Sequence, residues 1–254
     1  MVWEFITLLG DEKIYLFLIP LVYFLIERRL AWRLLLLSIL SASCVYVLKD
    51  VLKLPRPPPS TWKVEANGYG FPSGHTTVSA SFWSYLSLKM KNKALYVFSA
   101  LLVSLIALSR IILHVHYIRD VVGGIVIGLC ISLAVLRLER EVGKISERKK
   151  ERMTLAGAVI FLILIPYLSA RIPFEGAVLL GFAIGHIVCT YFIRIPERRK
   201  MKNKLISFAI SMMFICLSFV FCEEWGVIVI LGLLSSLVPQ TLWHFIDKRV
   251  EKQG

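Results

Sequence analysis

The chain has 254 residues, of which 57% are apolar, and its formal net charge is +13. Its mean hydropathy of +0.72 excludes a soluble globular domain, because such a domain needs a more polar surface. These values predict an all-α fold, a polytopic transmembrane helical bundle.

Nine segments approach the length of about 20 apolar residues that a membrane-spanning helix needs. In chain order they are 11–27, 30–50, 73–88, 94–112, 117–137, 154–170, 176–193, 205–221 and 226–245. The first is the weakest, because its purely apolar part is short and follows Asp11, Glu12 and Lys13. We expect about nine spans, the first of them tilted or partly interfacial, after an interfacial segment at residues 1–10.

The basic residues lie mainly in alternate connections, which hold 22 of the 30 lysines and arginines. By the positive-inside rule these connections and the carboxyl terminus face the cytoplasm. The charge therefore indicates membrane topology, and we expect no nucleic acid partner. The cell membrane is the predicted location.

Three polar clusters follow one another along the predicted outer face. Span two ends near Lys49, and the prolines of 55–59 predict an irregular loop at 54–72 that carries Arg56. Pro72-Ser73-Gly74-His75 starts span three, with Ser73 as the helix N-cap. Ser109 and Arg110 end span four, and span five begins near His116, so that Asp120 would lie one helical turn further on the same face.

After span five the predicted spans carry almost no polar residues of catalytic type. The predicted organisation is a catalytic transmembrane core at 1–138, a basic cytoplasmic connector at 139–153 and additional transmembrane helices at 154–254. His186 stands alone in an apolar run and is interpreted as a packing residue. The five cysteines have no paired or metal-ligand spacing, so we expect them to fill space. Gly124 and Gly128 predict close helix packing within the core, with a homodimer contact as the alternative.

The residue types in the three clusters suit phosphoryl transfer from a phosphate monoester dianion. Lys49, Arg56 and Arg110 can neutralise the dianion and hold its oxygens. The amides of Ser73 and Gly74 open a helix whose dipole favours an anion, and the Ser73 hydroxyl adds a donor.

Two histidines can divide the chemistry. His116, held by Asp120, leaves Nε2 free to attack phosphorus as the nucleophile. His75 is placed to protonate the leaving oxygen and then to activate water. His114 is expected to be a loop or packing residue, and Arg119 to pair with phosphate or with lipid headgroups.

The carboxylates near the clusters are Asp50, Glu65 and Asp120, which are too few and too dispersed for Mg²⁺ or Ca²⁺. We therefore predict no metal and no other cofactor.

Together the clusters resemble the three-part signature of the type 2 phosphatidic acid phosphatase superfamily. That superfamily includes lipid phosphate phosphatases, polyprenyl diphosphate phosphatases, glucose-6-phosphatase and the vanadium haloperoxidases. The matching residues are Lys49, Arg56 and Pro57 in the first motif, Pro72, Ser73, Gly74 and His75 in the second, and Ser109, Arg110, His116 and Asp120 in the third. The resemblance covers about residues 49–130. It implies that Lys49, Arg56, Ser73, Gly74 and Arg110 hold phosphate, while His75 is the acid and base, His116 the nucleophile and Asp120 its partner.

The resemblance implies an integral-membrane, metal-independent phosphatase acting at the outer face through a phosphohistidine. Its substrate would be a lipid phosphate, such as phosphatidic acid or phosphatidylglycerol phosphate, or a polyprenyl diphosphate. The layout of about nine spans is more like the branch containing glucose-6-phosphatase, so hydrolysis of a soluble phosphate ester is an alternative. A lipid phosphotransferase and a non-enzymatic lipid-binding protein are the others.

Overall fold

The structure is a computed structural model that describes residues 2–144, 173–193, 201–221 and 224–251. These residues form helices and contain no strand, so the predicted all-α fold is confirmed. The α-helices are α1 (Val2–Leu8), α2 (Glu12–Leu21), α3 (Arg28–Leu52), α4 (Gly74–Met90), α5 (Lys93–Ile112), α6 (Ile118–Gly143), α7 (Pro173–Ile187), α8 (Met201–Val220) and α9 (Trp225–Glu251). Short π-helices at Val22–Ile26 and Val188–Phe192 follow α2 and α7, and Pro59–Thr61 is a 3₁₀ turn.

Five of the described helices are long and apolar enough to cross a membrane. They are Arg28–Leu52, Lys93–Ile112, Ile118–Val142, Met201–Val220 and Gly226–Trp243, and Ala177–Thr190 is a shorter apolar helix. On α5 the exposed side chains Val97, Leu101, Leu105 and Leu108 recur every three or four residues, which gives one apolar face for lipid. The chain is therefore an integral membrane protein.

The count of nine spans stays a prediction. The segment at 11–27 forms α2 and a π-helix, and the segment at 73–88 forms the 17-residue α4. The predicted span at 154–170 and most of the connector at 139–153 lie outside the described residues.

The chain divides into two compact units. The first comprises residues 1–14 and 36–158, and the second comprises 15–35 and 159–254. All three polar clusters belong to the first unit. The boundaries predicted from the sequence, at 138 and 153, are not tested by this division.

In the first unit α4 packs against both α5 and α6, and most of its residues are buried. It is rich in serine and threonine, whose hydroxyls are satisfied within the protein. Thr77 Oγ1 donates to the Ser73 carbonyl at 2.8 Å, and Ser41 Oγ of α3 donates to Ser81 Oγ at 2.7 Å. These bonds allow a polar helix to lie in the interior of a membrane protein.

Glycines set the distance between α4 and α6. A Cβ on Gly124 would lie 3.1 Å from the Ser73 carbonyl oxygen, and one on Gly128 would lie 2.5 Å from the Thr77 carbonyl oxygen. The predicted close packing of this face within the core is confirmed. At the far end of the same pair, Glu139 accepts from Tyr85 Oη and from Lys89 Nζ.

In the second unit α9 packs against α7 and α8 around a small apolar core. The buried members of this core are Leu16, Ala177, Val178, Ile215 and Ile228. His186 of α7 is hydrogen-bonded through Nδ1 to Tyr23 Oη at 2.9 Å and stacks on Trp32. It is a satisfied packing residue, as predicted.

Candidate functional site

The first unit brings the three predicted clusters to one place, where α3 and α5 end and α4 and α6 begin. His75 lies close enough to Lys49, Arg56, Arg110 and His116 to interact with all four electrostatically. Lys49 lies in the last turn of α3, Arg56 in the following loop, Ser73 and Gly74 at the start of α4, Arg110 in the last turn of α5, and Asp120 in the first turn of α6.

His116 lies in the segment between α5 and α6 and is almost completely enclosed. Its side chain is 2% exposed, its Nδ1 lies 3.4 Å from Asp120 Oδ2, and its Nε2 lies 2.9 Å from Arg56 Nη1. Because a guanidinium can only donate, Nε2 is the acceptor and the proton is assigned to Nδ1, facing the carboxylate. This tautomer leaves the Nε2 lone pair on the side of the cations.

The pKa of His116 is lowered to about 4. Burial contributes most, because it removes the water that would solvate an imidazolium, and the positive charges of Arg56, Arg110 and Lys49 act in the same direction. The hydrogen bond with Asp120 raises the pKa but does not outweigh them. The imidazole is therefore neutral, and able to act as a nucleophile, at any pH well above 4.

Arg56 ties the proline-rich loop to the chain around His116. Its Nε donates to the Gly68 carbonyl at 3.0 Å and its Nη2 to the Asn67 carbonyl at 2.9 Å. Nη1 donates to the Val115 carbonyl at 2.8 Å as well as to His116. This one guanidinium thus joins both sides of the site, and a bound phosphate would have to compete for its donors.

Asp120 holds the entry to α6 as well as His116. The helix begins at Ile118, so His116 lies before it and does not share a helical face with Asp120 as the sequence suggested. Asp120 Oδ2 accepts from the Tyr117 amide at 3.0 Å, which caps the helix and places the carboxylate beneath the histidine ring. Gly70 is needed here, because a Cβ on it would lie 2.9 Å from Asp120 Oδ2.

The turn before α4 differs in one respect from the prediction. Ser73 is the N-cap residue, as predicted, but its amide donates to the Asp120 carbonyl at 3.0 Å. The amides left to face an anion are those of the first helical turn, which begins at Gly74. Thr76 Oγ1 donates to Ser73 Oγ at 3.0 Å, so the Ser73 hydroxyl keeps its own proton for another acceptor.

Arg110 carries a buried donor that is not used. The residue is 6% exposed, its Nη1 donates to Thr7 Oγ1 at 2.6 Å, and its Nε has no hydrogen-bond partner among the described residues. A buried guanidinium N–H without a partner is costly and is explained most simply by an anionic ligand.

His114 and Arg119 lie beside the site. His114 is exposed in the turn between α5 and α6 with φ of 56°, and is a loop residue, as predicted. Arg119 Nε lies 3.5 Å from Asp120 Oδ1, and its guanidinium lies over the Tyr117 ring.

In the described residues no three His, Cys, Asp or Glu side chains group in a way that could hold a metal ion.

The N-terminal residues also reach the site, although no sequence motif assigned them to it. Helix α1 packs against α5, and Thr7, Gly10 and Asp11 reach Arg110 and His75. The signal available in the sequence was the Gly10-Asp11 pair between two helices, a pattern that predicts a turn but does not reveal what the turn contacts.

Comparison with known proteins identifies a family for the region that carries the three motifs. Residues 30–144 match the family model described as PAP2 superfamily. These residues include all three motifs and make up a little under half of the chain. The family predicted from the three motifs is thereby confirmed.

Relatives of the PAP2 region include human sphingosine-1-phosphate phosphatase 2, which is 32% identical over 135 residues covering 49% of this chain and 34% of the relative. Lipid phosphate phosphatase delta of Arabidopsis thaliana is 30% identical over 177 residues, covering 61% of this chain and 42% of the relative. The chain therefore spans well under half the length of these two relatives.

A solved structure shares the fold. The crystal structure of the transmembrane PAP2 type phosphatidylglycerolphosphate phosphatase from Bacillus subtilis has a TM-score of 0.52 and 25% sequence identity. The similarity covers 57% of this chain and 78% of that one. Somewhat more than half of this chain thus has a structural counterpart in a transmembrane protein.

Proposed function

We propose that this protein is an integral-membrane phosphatase that hydrolyses a phosphate ester of a lipid through a phosphohistidine formed on His116. The observation that carries the proposal is the environment of the His116 ring. Asp120 faces Nδ1, and Nε2 opens toward the cations Arg56, Arg110 and Lys49. A neutral imidazole that faces a cluster of cations is suited to attack a bound phosphate dianion.

The reaction follows from the groups present. Arg56 turns from His116 to the phosphate oxygens, and Nε2 of His116 attacks phosphorus as the bond to the leaving oxygen breaks. His75 gives that oxygen a proton. Water then attacks the phosphohistidine, His75 takes up a proton from it, and inorganic phosphate is released when the P–N bond breaks.

The substrate class is inferred from the relatives and from the surface of the first unit. The relatives are named for sphingosine 1-phosphate, for lipid phosphate and for phosphatidylglycerolphosphate. An apolar groove of about 260 Å³ lies between α3 and α6, lined by Leu40, Cys44, Ile131, Ala134, Val135 and Leu138. Such a groove can receive an acyl or isoprenyl tail from the bilayer, which supports a lipid phosphate or diphosphate over a soluble ester.

The orientation is inferred from charge. With most basic residues in the cytoplasmic connections, the site faces the outer side of the cell membrane and the carboxyl terminus faces the cytoplasm. The apolar segments after residue 154 are expected to supply further membrane spans. A homodimer would have to use a face other than that of Gly124 and Gly128, which α4 covers.

A substrate panel tests the proposal. The full chain, purified in detergent, is incubated with short-chain phosphatidic acid, phosphatidylglycerol phosphate, farnesyl diphosphate and glucose 6-phosphate, and inorganic phosphate is measured. At least one lipid substrate should exceed glucose 6-phosphate about tenfold in kcat/KM. His116→Ala should lower release by about a thousandfold or more, because the nucleophile is lost.

His114→Asn is the matched control, because it changes a histidine two residues away and asparagine tolerates the positive φ of that position. It should retain activity within about threefold. An acid-labile phosphoryl group should be trapped on the wild type and not on His116→Ala. A faster release from glucose 6-phosphate than from every lipid, or an active His116→Ala, would contradict the proposal.

A further inference from the structure

The N-terminal helix and the turn after it are docked against the phosphate site. Thr7 Oγ1 of α1 accepts the 2.6 Å hydrogen bond from Arg110, and Gly10 lies directly against the His75 ring. A Cβ on Gly10 would lie 2.6 Å from Ile106 Cγ2 and 3.2 Å from His75 Cβ. The missing side chain at position 10 is what allows the next residue, Asp11, to approach the histidine.

Asp11 uses its two carboxylate oxygens differently. Oδ1 accepts from the Lys13 amide at 2.9 Å and so caps the start of α2. Oδ2 lies 3.9 Å from His75 Nε2. The Asp11 and His75 side chains are 33% and 24% exposed, so water screens the attraction between them only in part.

His75 otherwise has three cations among its neighbours. Lys49 approaches it from α3, Arg110 from α5 and Arg56 from the proline-rich loop. A general acid must carry a proton before it can give one up, and each of these cations disfavours the protonated imidazole.

We propose that Asp11 is a positioning residue that orients His75 through Nε2 and favours its protonated form for transfer of a proton to the leaving oxygen. The inference rests on the proposed phosphatase function. It gives the site two histidine–carboxylate pairs: Asp120 with His116, from the third motif, and Asp11 with His75, from a segment outside all three motifs.

The proton balance is simple. The imidazolium of His75 gives a proton to the leaving oxygen as the P–O bond breaks and the bond from His116 to phosphorus forms. The neutral imidazole then takes a proton from the water that attacks the phosphohistidine. Asp11 takes no part in the proton transfers, and its carboxylate favours the protonated imidazole with which each cycle begins and ends.

The test compares two leaving groups. Wild type and Asp11→Asn are assayed on two phosphate monoesters with the same apolar tail, one with an alkyl and one with a nitrophenyl leaving oxygen. A nitrophenolate leaves without a proton, so Asp11→Asn should lower kcat/KM about tenfold for the alkyl ester and less than about threefold for the nitrophenyl ester. Asp11→Glu should recover most of the alkyl activity.

The controls separate this role from capping. Asparagine keeps the hydrogen bond to the Lys13 amide, so Asp11→Asn should melt within about 2 °C of wild type. Glu65→Gln removes one carboxylate from an exposed loop position and should change neither ester. Equal losses on both esters, or no loss on either, would overturn the role of Asp11 while leaving the phosphatase intact. A wild type that cleaves neither ester, nor any lipid of the panel, would overturn the proposed function and this inference together.

Discussion

At the scale of single residues, Arg56 bears the most constraints. A guanidinium offers five N–H donors in a rigid fork, and Arg56 directs them at three carbonyls and one imidazole. Arg56 lies in the proline-rich loop, and these hydrogen bonds fix the position of its charge. The loop and His116, the proposed nucleophile, are therefore ordered by the same side chain.

We predict that Arg56→Lys lowers kcat/KM for the preferred lipid by about a hundredfold. Lysine keeps the charge but cannot bridge the Asn67 and Gly68 carbonyls and His116 at once, so the loss measures geometry and not charge. The measurement is steady-state phosphate release in detergent.

Lys63→Gln serves as the control, because it removes a cation from an exposed position of the same loop. It should stay within about threefold of wild type. An Arg56→Lys variant with wild-type kinetics would mean that the bonds from Arg56 to the loop have no part in the reaction.

The proposed site residues could be grouped from the sequence, because their types and their order along the chain suit a single phosphate site. The hydrogen bonds among them could not be. The commitment of the Ser73 amide to the Asp120 carbonyl depends on how the loop at 54–72 returns to α6, and no local pattern encodes that path. The same holds for Asp11, whose contact with His75 joins residues 64 positions apart.

At the scale of helices, the site depends on how closely α4 and α6 approach. Gly128 lies over the backbone of α4, where a Cβ would be 2.5 Å from the Thr77 carbonyl oxygen and 2.8 Å from Ala80 Cβ. Both of those atoms belong to a packed helix and cannot rotate away. The separation of the two helices is thus set by the absence of one methyl group.

Gly128→Ala is predicted to destabilise the protein by about 1–3 kcal/mol, although alanine is the better helix former. The midpoint of thermal unfolding in detergent is the measurement.

Gly226→Ala makes the same chemical change where nothing lies within 4 Å of the added Cβ. It should leave the midpoint unchanged or raise it slightly. If both variants behaved alike, helix propensity and not the approach of α4 to α6 would govern position 128.

Most of the helices could be predicted, because long apolar segments in a chain of this composition indicate membrane-spanning helices. Three details were not. Residues 1–10 were predicted as an interfacial segment but contain α1, and π-helices end α2 and α7 at 22–26 and 188–192. Such insertions arise from packing between helices, which hydrophobic periodicity does not record.

At the scale of the whole molecule, the distribution of charge predicts which side of the membrane the site occupies. A cysteine at Glu65, in the loop that carries Arg56, should react with a membrane-impermeant maleimide in intact cells. A cysteine at Lys93, at the start of α5, should react only after permeabilisation. Both positions are exposed.

The native cysteines, Cys44, Cys130, Cys189, Cys216 and Cys222, are first replaced by alanine, and phosphate release verifies that this background is active. Labelling at position 93 but not at 65 in intact cells would invert the proposed orientation. The histidine assignments would stand unchanged, because they do not depend on the side.

The hydroxyl-rich character of α4 bears on how the protein is made. This helix carries His75 at its first turn, yet it is not among the described helices whose length and composition suit a bilayer by themselves. Such a helix is a poor membrane span by itself, so it needs contacts with α5 and α6 to be stable in the bilayer. The site therefore forms cooperatively, because α4, which carries the second motif, is stabilised only when α5 and α6 have been synthesised.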